Sequence, residues 1–185
     1  YYANEKSGAT WQGAGAKLLG IEGKEVSAQD FGAALQGEMR NPVTGEIQNL
    51  ADNPRGDRRR NGYDFTVAPP KSVSIVGLAL GDQRVVDAHL KANAVAMKWL
   101  EEHASVIRVK EDGRNVKINA GNLLWATVLH QTNRENEPQI HSHNVIIAVV
   151  FDQITEKWRS LTNDELLKLR ATADKVYRNE LAIEL

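Results

Sequence analysis

Apolar side chains recur at Val86, Leu90, Met97 and Leu100 with polar residues between them, which predicts an amphipathic helix over residues 82–103. A different period governs Tyr63–Val67, where apolar and polar positions alternate as in a half-buried strand. Ala68-Pro-Pro70 must end that strand, because proline has no N–H to give to a ladder, and Ser72 or Ser74 then leads into an apolar turn. Leu123–His130 and Ser142–Asp152 are strongly apolar and read as two long strands, joined by a polar segment, 131–140, too long for a tight turn. Ser105–Val109 and Asn115–Ile118 flank Asp112-Gly113 and predict a hairpin, and Trp158–Leu161 predicts a short strand. Ser27 and Asp30 open a helix over 28–37, and Thr162-Asn-Asp-Glu165 has the form of a capping box for a helix running to Leu185. Between them, Gly37 to Arg60 holds Pro42, Gly45, Pro54 and Gly56 and reads as a long surface connection. Hairpin-linked strands with helices beside them predict an α+β fold with a central antiparallel β-sheet and flanking helices.

Composition narrows the class. A chain of 185 residues, 42% hydrophobic and 25% charged, suits one globular domain or part of a larger one. Lys and Arg total 23 against 24 Asp and Glu, a net charge of −1 that excludes a uniformly basic nucleic-acid coat while allowing a local basic patch. The absence of cysteine excludes disulfides, thiolate metal sites and a cysteine nucleophile. No apolar run reaches the about 18 residues of a membrane span and no signal-peptide pattern opens the chain, so a cytoplasmic domain without membrane insertion is expected. The chain begins Tyr1-Tyr2 with no initiator Met, which reads as a fragment of a longer protein.

Three of the five histidines, His130, His141 and His143, fall within 14 positions at the junction of the two best strands. Residues i and i+2 of a strand share a face, so His141 and His143 project side by side, and pairing of the two strands brings His130 to the same edge. Three imidazoles with coordination positions left open are the layout of a catalytic metal site. The spacing alone also fits other metal folds. Asp64, on the strand from Tyr63, is able to fix the tautomer of a ligating imidazole or act as a base, although a solvent-facing strand aspartate is the simpler reading. Tyr1 and Tyr2 are nucleophile candidates only where a cation or base favours the phenolate. Arg55, Arg58, Arg59 and Arg60 form the densest positive run and suit phosphate contacts, as does Lys71 after the Pro-Pro turn. Trp11, Trp99, Trp125 and Trp158 offer base-stacking faces, with Trp99 and Trp125 on apolar patterns that suit a core. His89 and His103 lie on the long helix and read as structural. No phosphate-binding glycine loop, dinucleotide fingerprint or G-x-S-x-G elbow is present.

The run His130-Gln-Thr-Asn-Arg-Glu-Asn-Glu-Pro-Gln-Ile-His141-Ser-His143 resembles the three-histidine motif of conjugative relaxases of the TrwC/TraI type, histidine–hydrophobe–histidine endonucleases that nick plasmid DNA at the origin of transfer. Gly62-Tyr-Asp64-Phe-Thr-Val-Ala-Pro-Pro-Lys71-Ser-Val-Ser74 is similar to that family's strand and turn carrying an aspartate, and Tyr1-Tyr2 with Trp11-Gln-Gly13 to its second tyrosine pair. Asp87-Ala-His89, Gly121-Asn-Leu123 and the 158–164 stretch match in order, so the resemblance spans essentially the whole chain. It implies a divalent metal ion (Mg, Mn or Zn) held by His130, His141 and His143, with Asp64 oriented towards the cluster. A tyrosine oxygen is then implied to attack phosphorus and form a covalent 5′-phosphotyrosyl intermediate. The first member of an earlier, upstream pair makes the initial cut, and Tyr1, with Tyr2 beside it, is a catalytic candidate standing where the family has the tyrosine of the second, terminating transfer. The implied partner is single-stranded or hairpin-flanked origin-of-transfer DNA, met by the Arg55–Arg60 loop, Lys71 and Arg134 in segment 131–140. Accessory relaxosome proteins and a secretion coupling protein are implied too, in a bacterial, plasmid-encoded setting. The family's earlier tyrosine pair and a following helicase domain are expected outside these residues, making the chain a relaxase domain trimmed at both ends. Asn133-Arg134 stands where the family has Ser-Arg. A rolling-circle replication initiator or transposase shares the same chemistry. A non-catalytic single-stranded-DNA module and a cupin-like metalloenzyme are the readings from other classes, the last disfavoured because no histidine follows His143.

Overall fold

A computed structural model of the chain describes residues 8–50 and 60–185. Its centre is a four-stranded, wholly antiparallel sheet in the order β1-β7-β8-β4, formed by Thr10–Gln12, Trp125–Thr132, Pro138–Ile147 and Gly62–Val67. The expected α+β architecture is therefore present.

One face of this sheet is covered by two 22-residue helices, α4 (Gln83–Ala104) and α5 (Asn163–Glu184), which pack on each other. On α4 the inward residues run Val85, His89, Ala92, Asn93, Ala96, Met97, Leu100, a repeat of three and four that lays one stripe on the strands. Ala88, Ala92 and Ala96 have side chains small enough for Tyr177 and Leu181 of α5 to lie close, with Val67 of β4 beneath them. The helices begin differently. Asp82 caps α4 by accepting a hydrogen bond from the Arg84 N–H at 3.1 Å, whereas the Thr162 side chain makes no capping bond to α5, so the capping box read there does not form.

The opposite face is covered over part of its length by a second core. Leu124, just before β7, Ala126 of β7 and Ile147 of β8 pack there with Trp11, Ala16 of α1 (Ala14–Leu18) and Ala34 of α2 (Ala28–Gln36). Ser27 caps α2 as expected, accepting from the Asp30 N–H at 3.0 Å. Met39 joins this core from the hairpin of β2 (Glu38–Arg40) and β3 (Ile47–Asn49), which lies within the stretch read as a long surface connection. Its strands are three residues long, below what a periodicity reading detects.

Two further departures from the expected elements have local causes. Lys71–Ala79 is a helix, α3, and not a turn: Pro70, with its fixed backbone, stands at the N-cap, and Ser74 and Gly77 are its buried positions. The single strand expected over 142–152 is two. β8 ends at Ile147, and after Ala148 the chain enters β9 (Val149–Asp152), which pairs with β10 (Lys157–Ser160) in a separate sheet. From Val145 to Phe151 the run is apolar without a break, so the change of sheet leaves no mark on the pattern. The remaining hairpin, β5 (Val106–Glu111) with β6 (Arg114–Asn119), turns on Asp112 and Gly113, both at positive φ, the geometry a two-residue hairpin loop requires.

Candidate metal centre

Pairing in the central sheet decides which side chains meet. His130 of β7 lies directly opposite His141 of β8, and Thr66 of β4 lies opposite His143. Directly paired residues share a face, as do residues two apart, so His130, His141, His143, Thr66 and Asp64 all project from one side. This is the face of the second core, beyond the point where its cover ends among the described residues. Val128, paired with His143, forms the apolar floor between the imidazoles.

The three rings form a nearly equilateral triangle. Their centroids are 5.0 Å (His130–His141), 5.0 Å (His130–His143) and 5.2 Å (His141–His143) apart. One nitrogen from each ring lies within 4.8 Å of the others, the one such group among the described residues. Nitrogens about 2 Å from a common ion sit about 3.4 Å apart, so small ring rotations bring this set into coordination. The donor set fits a divalent ion that accepts imidazole.

Hydrogen bonds fix two of the rings. The Nδ1 of His143 is 2.7 Å from Asp64 Oδ2 and 3.0 Å from Thr66 Oγ1, and Thr66 Oγ1 also donates to Asp64 Oδ1 at 3.2 Å. The carboxylate thus accepts the Nδ1 proton and assigns Nε2 of His143 to an ion. His141 is oriented by the backbone: its Nδ1 lies 3.2 Å from the Gln139 carbonyl oxygen, which assigns Nε2 in the same way. Burial, first, and the neighbouring rings of His130 and His143 hold His141 below the ordinary imidazole value, against the opposing hydrogen bond to Gln139. Neutral imidazole is the form that binds a cation, which the lowered pKa of His141 favours.

The expected DNA-contact residues divide. Arg134 is exposed at the tip of the β7–β8 loop, and Lys71 lies at the start of α3 with its Nζ 2.9 Å from Glu137 Oε2 of that loop. Asn133 shapes the loop, its Oδ1 accepting from the N–H groups of Glu135 (3.0 Å) and Glu137 (2.9 Å). Lys71 holds the Glu137 carboxyl below its ordinary range, with Asn133 contributing. Arg60 is exposed just before β4, whereas Arg55, Arg58 and Arg59 lie outside the described residues, as do Tyr1 and Tyr2. The tryptophans do not serve as stacking faces: Trp11, Trp125 and Trp158 are buried, and half-buried Trp99 stacks on His103 with centroids 4.4 Å apart. The described tyrosines also turn away from the site. Tyr63, paired with Ile146, packs on the helix-side core, and Tyr177 is wholly buried, with its phenol pushed far up by burial.

Three histidines from two adjacent antiparallel strands, one braced by a carboxylate on a third, define a metal-centred site on an open sheet face. The chain belongs to the TrwC relaxase family, whose family model matches residues 1–185. It is 36% identical over 182 residues to the multifunctional conjugation protein TraI of Escherichia coli strain K12, which covers 98% of this chain and 10% of TraI. The conjugative relaxase TrwC in complex with oriT DNA, metal-free, is similar with a TM-score of 0.87 at 34% identity, covering 99% of this chain and 63% of that one. The metal-bound complex of TrwC with oriT DNA gives a TM-score of 0.86 at 34% identity, covering 100% of this chain and 63% of that one. This chain therefore spans about a tenth of the curated relative and under two thirds of the solved TrwC chains.

Proposed function

We propose that this relaxase domain nicks one strand of a plasmid's origin-of-transfer DNA and rejoins it through a covalent tyrosine intermediate, initiating conjugation. The observation that carries the reading is the triangle of His130, His141 and His143 braced by Asp64. A divalent ion held there supplies Lewis-acid polarisation of the scissile phosphate. The chain's own residues do the rest. Asp64, through His143, and Gln139, through His141, keep those imidazoles in one tautomer and orientation.

The nucleophile is drawn from Tyr1 and Tyr2. Of the four tyrosines in these residues the other two, Tyr63 and Tyr177, lie on the far side of the sheet, and the earlier tyrosine pair expected upstream is the other source of a nucleophile. The tyrosine oxygen forms a bond to phosphorus as the bond to the 3′ oxygen breaks. The phenolic hydrogen ends, in net terms, on the departing 3′-hydroxyl, and the 5′ phosphate remains as a phosphotyrosyl ester. The step conserves the phosphodiester energy, so a later 3′-hydroxyl can reverse it and join strands. Arg60, Lys71 and Arg134, with the run at Arg55, Arg58 and Arg59, hold the DNA backbone, and the partners are single-stranded or hairpin-flanked origin DNA. Among the described residues no helix is long and apolar enough to cross a membrane, which is compatible with work in the cytoplasm beside relaxosome proteins and a coupling protein.

A labelled single-stranded oligonucleotide spanning the origin of the chain's own plasmid tests this. With Mn²⁺ a protein–DNA adduct resistant to denaturant is expected, absent with a chelator, in the Tyr1→Phe/Tyr2→Phe variant and in His130→Ala. An adduct that persists without both tyrosines sinks the nucleophile assignment. One that persists in His130→Ala sinks the metal assignment.

A further inference from the structure

Hydrophobic pattern does not set the register of the histidine strand where it matters. Across His141-Ser142-His143-Asn144 every side chain is polar, so binary patterning gives no reason for the histidines to face outward and Ser142 and Asn144 inward. Yet Ser142 and Asn144 are fully buried against α4. Each is met there by a polar side chain. His89 Nε2 lies 2.7 Å from Ser142 Oγ, while its Nδ1 lies 2.7 Å from the Tyr177 hydroxyl of α5. Asn93 and Asn144 exchange two amide hydrogen bonds of 3.1 and 2.7 Å, and Asn144 also donates to the Phe65 carbonyl of β4 at 3.0 Å.

The spacing of these pins is matched. His89 and Asn93 are four apart on a helix, a rise of about 6 Å, and Ser142 and Asn144 are two apart on a strand, about 6.8 Å. Two partners on one helix face therefore grip two successive inward positions of the strand. Moving the strand by one residue would turn the imidazoles to the core and leave four buried polar groups unsatisfied, at a heavy cost in free energy. His89 is fully buried and neutral, so its two ring nitrogens act as one donor and one acceptor. The tyrosine hydroxyl, the better donor, gives its hydrogen to Nδ1, and Nε2–H is then given to Ser142.

We propose that His89, oriented by Tyr177, is a positioning residue for the metal centre: by gripping Ser142 it holds His141 and His143 at coordinating separation from the opposite side of the sheet. The inference rests on the metal reading above, and its test keeps the two apart. The triple variant His89→Leu/Ser142→Ala/Tyr177→Phe replaces every member of the chain by an apolar group of similar shape, which leaves no buried polar atom orphaned. Tyr177→Phe alone deletes one oxygen and keeps the packing.

Each variant and the unaltered protein are titrated with Co²⁺, reading affinity by calorimetry and ligand geometry by the visible absorption of the bound ion. Amide hydrogen exchange of 141–144 is followed in the metal-free state. The triple variant is expected to bind Co²⁺ at least about tenfold more weakly, with an altered visible spectrum and faster exchange at 141–144. Tyr177→Phe is expected to move all three in the same direction by less. Unchanged affinity, spectrum and exchange in a folded triple variant overturn the proposal, and unchanged values in Tyr177→Phe overturn the part assigned to Tyr177. If the unaltered protein takes up no Co²⁺, the metal reading falls, while the exchange rates still decide whether His89 positions the strand.

Discussion

Asp64 controls which nitrogen His143 presents, because a neutral imidazole has a single N–H and a carboxylate 2.7 Å from Nδ1 claims it. Removing that acceptor frees the ring to turn and to carry its proton on Nε2. Asp64→Ala is therefore expected to weaken Mn²⁺ or Co²⁺ binding about 10–100-fold by calorimetry. Thermal stability should barely move, since the side chain is a third exposed. Asp64→Asn, whose amide oxygen still accepts, should fall between the two. His89 makes a different kind of statement, about acid. Burial first, with the charge of His141 through the sheet adding to it, lowers its pKa from 6.5 to about 4. Below pH 6.5 the unfolded chain takes up a proton that the native chain refuses until about pH 4, so stability falls as pH falls through that window. The loss amounts to on the order of 3 kcal/mol by pH 4, and none of it appears above about pH 7. Urea unfolding at pH 7.5 and 4.5 measures it. The variant in which Leu, Ala and Phe replace His89, Ser142 and Tyr177 should show a shallower dependence on pH.

At the scale of elements, the segment that leads into the sheet is fastened at a few points. Glu101 of α4 accepts, through one carboxylate oxygen, the N–H of Ala14 and that of Leu123, each at 2.8 Å. Burial raises its pKa, while those two N–H bonds oppose the shift. Glu101→Leu strands both donors, and an unfolding free energy lower by roughly 2–4 kcal/mol is expected in denaturant titration. Next to it Gly13 adopts φ 96°, and a Cβ there would run into the Trp125 ring and the Leu123 carbonyl oxygen. Gly13→Ala should consequently lower Tm by more than the loss of an exposed helix cap, such as Ser27→Ala, worth about 1 kcal/mol. How much of this is legible in sequence depends on element length. The periods of α4, β4 and β7 are long enough to read, and His-x-His with an upstream His places the triangle once the two strands are paired. The three-residue strands β1, β2 and β3 carry no period, and the passage from β8 to β9 at Ala148 occurs within an unbroken apolar run. His89 reads as a structural residue of the helix because nothing in its own neighbourhood points across the sheet to Ser142. Thr162-Asn-Asp-Glu165 misleads for the reverse reason, a local motif whose side chain is not used as a cap.

For the molecule as a whole, a net charge of −1 means that the affinity for DNA proposed above would have to come from a few placed cations. Each phosphate contact on a single strand contributes about 0.7 to the slope of log affinity against log salt. Arg60→Ala with Arg134→Ala is thus expected to flatten that slope by about 1.4, measured by fluorescence anisotropy between 50 and 200 mM salt. Random duplex should bind weakly throughout. The parts of the site also differ in what anchors them. The imidazoles and Asp64 sit on ladder positions of three strands, whereas Arg134 rides on a loop that departs from the ladder after His130, where the register shifts before Thr132 meets Pro138. Residues 133–137 are therefore expected to tolerate changes of length and sequence that leave the three imidazoles in place. On the function proposed above, such a loop would let the contacts to an origin change while the histidine triangle that serves the cut stays as it is.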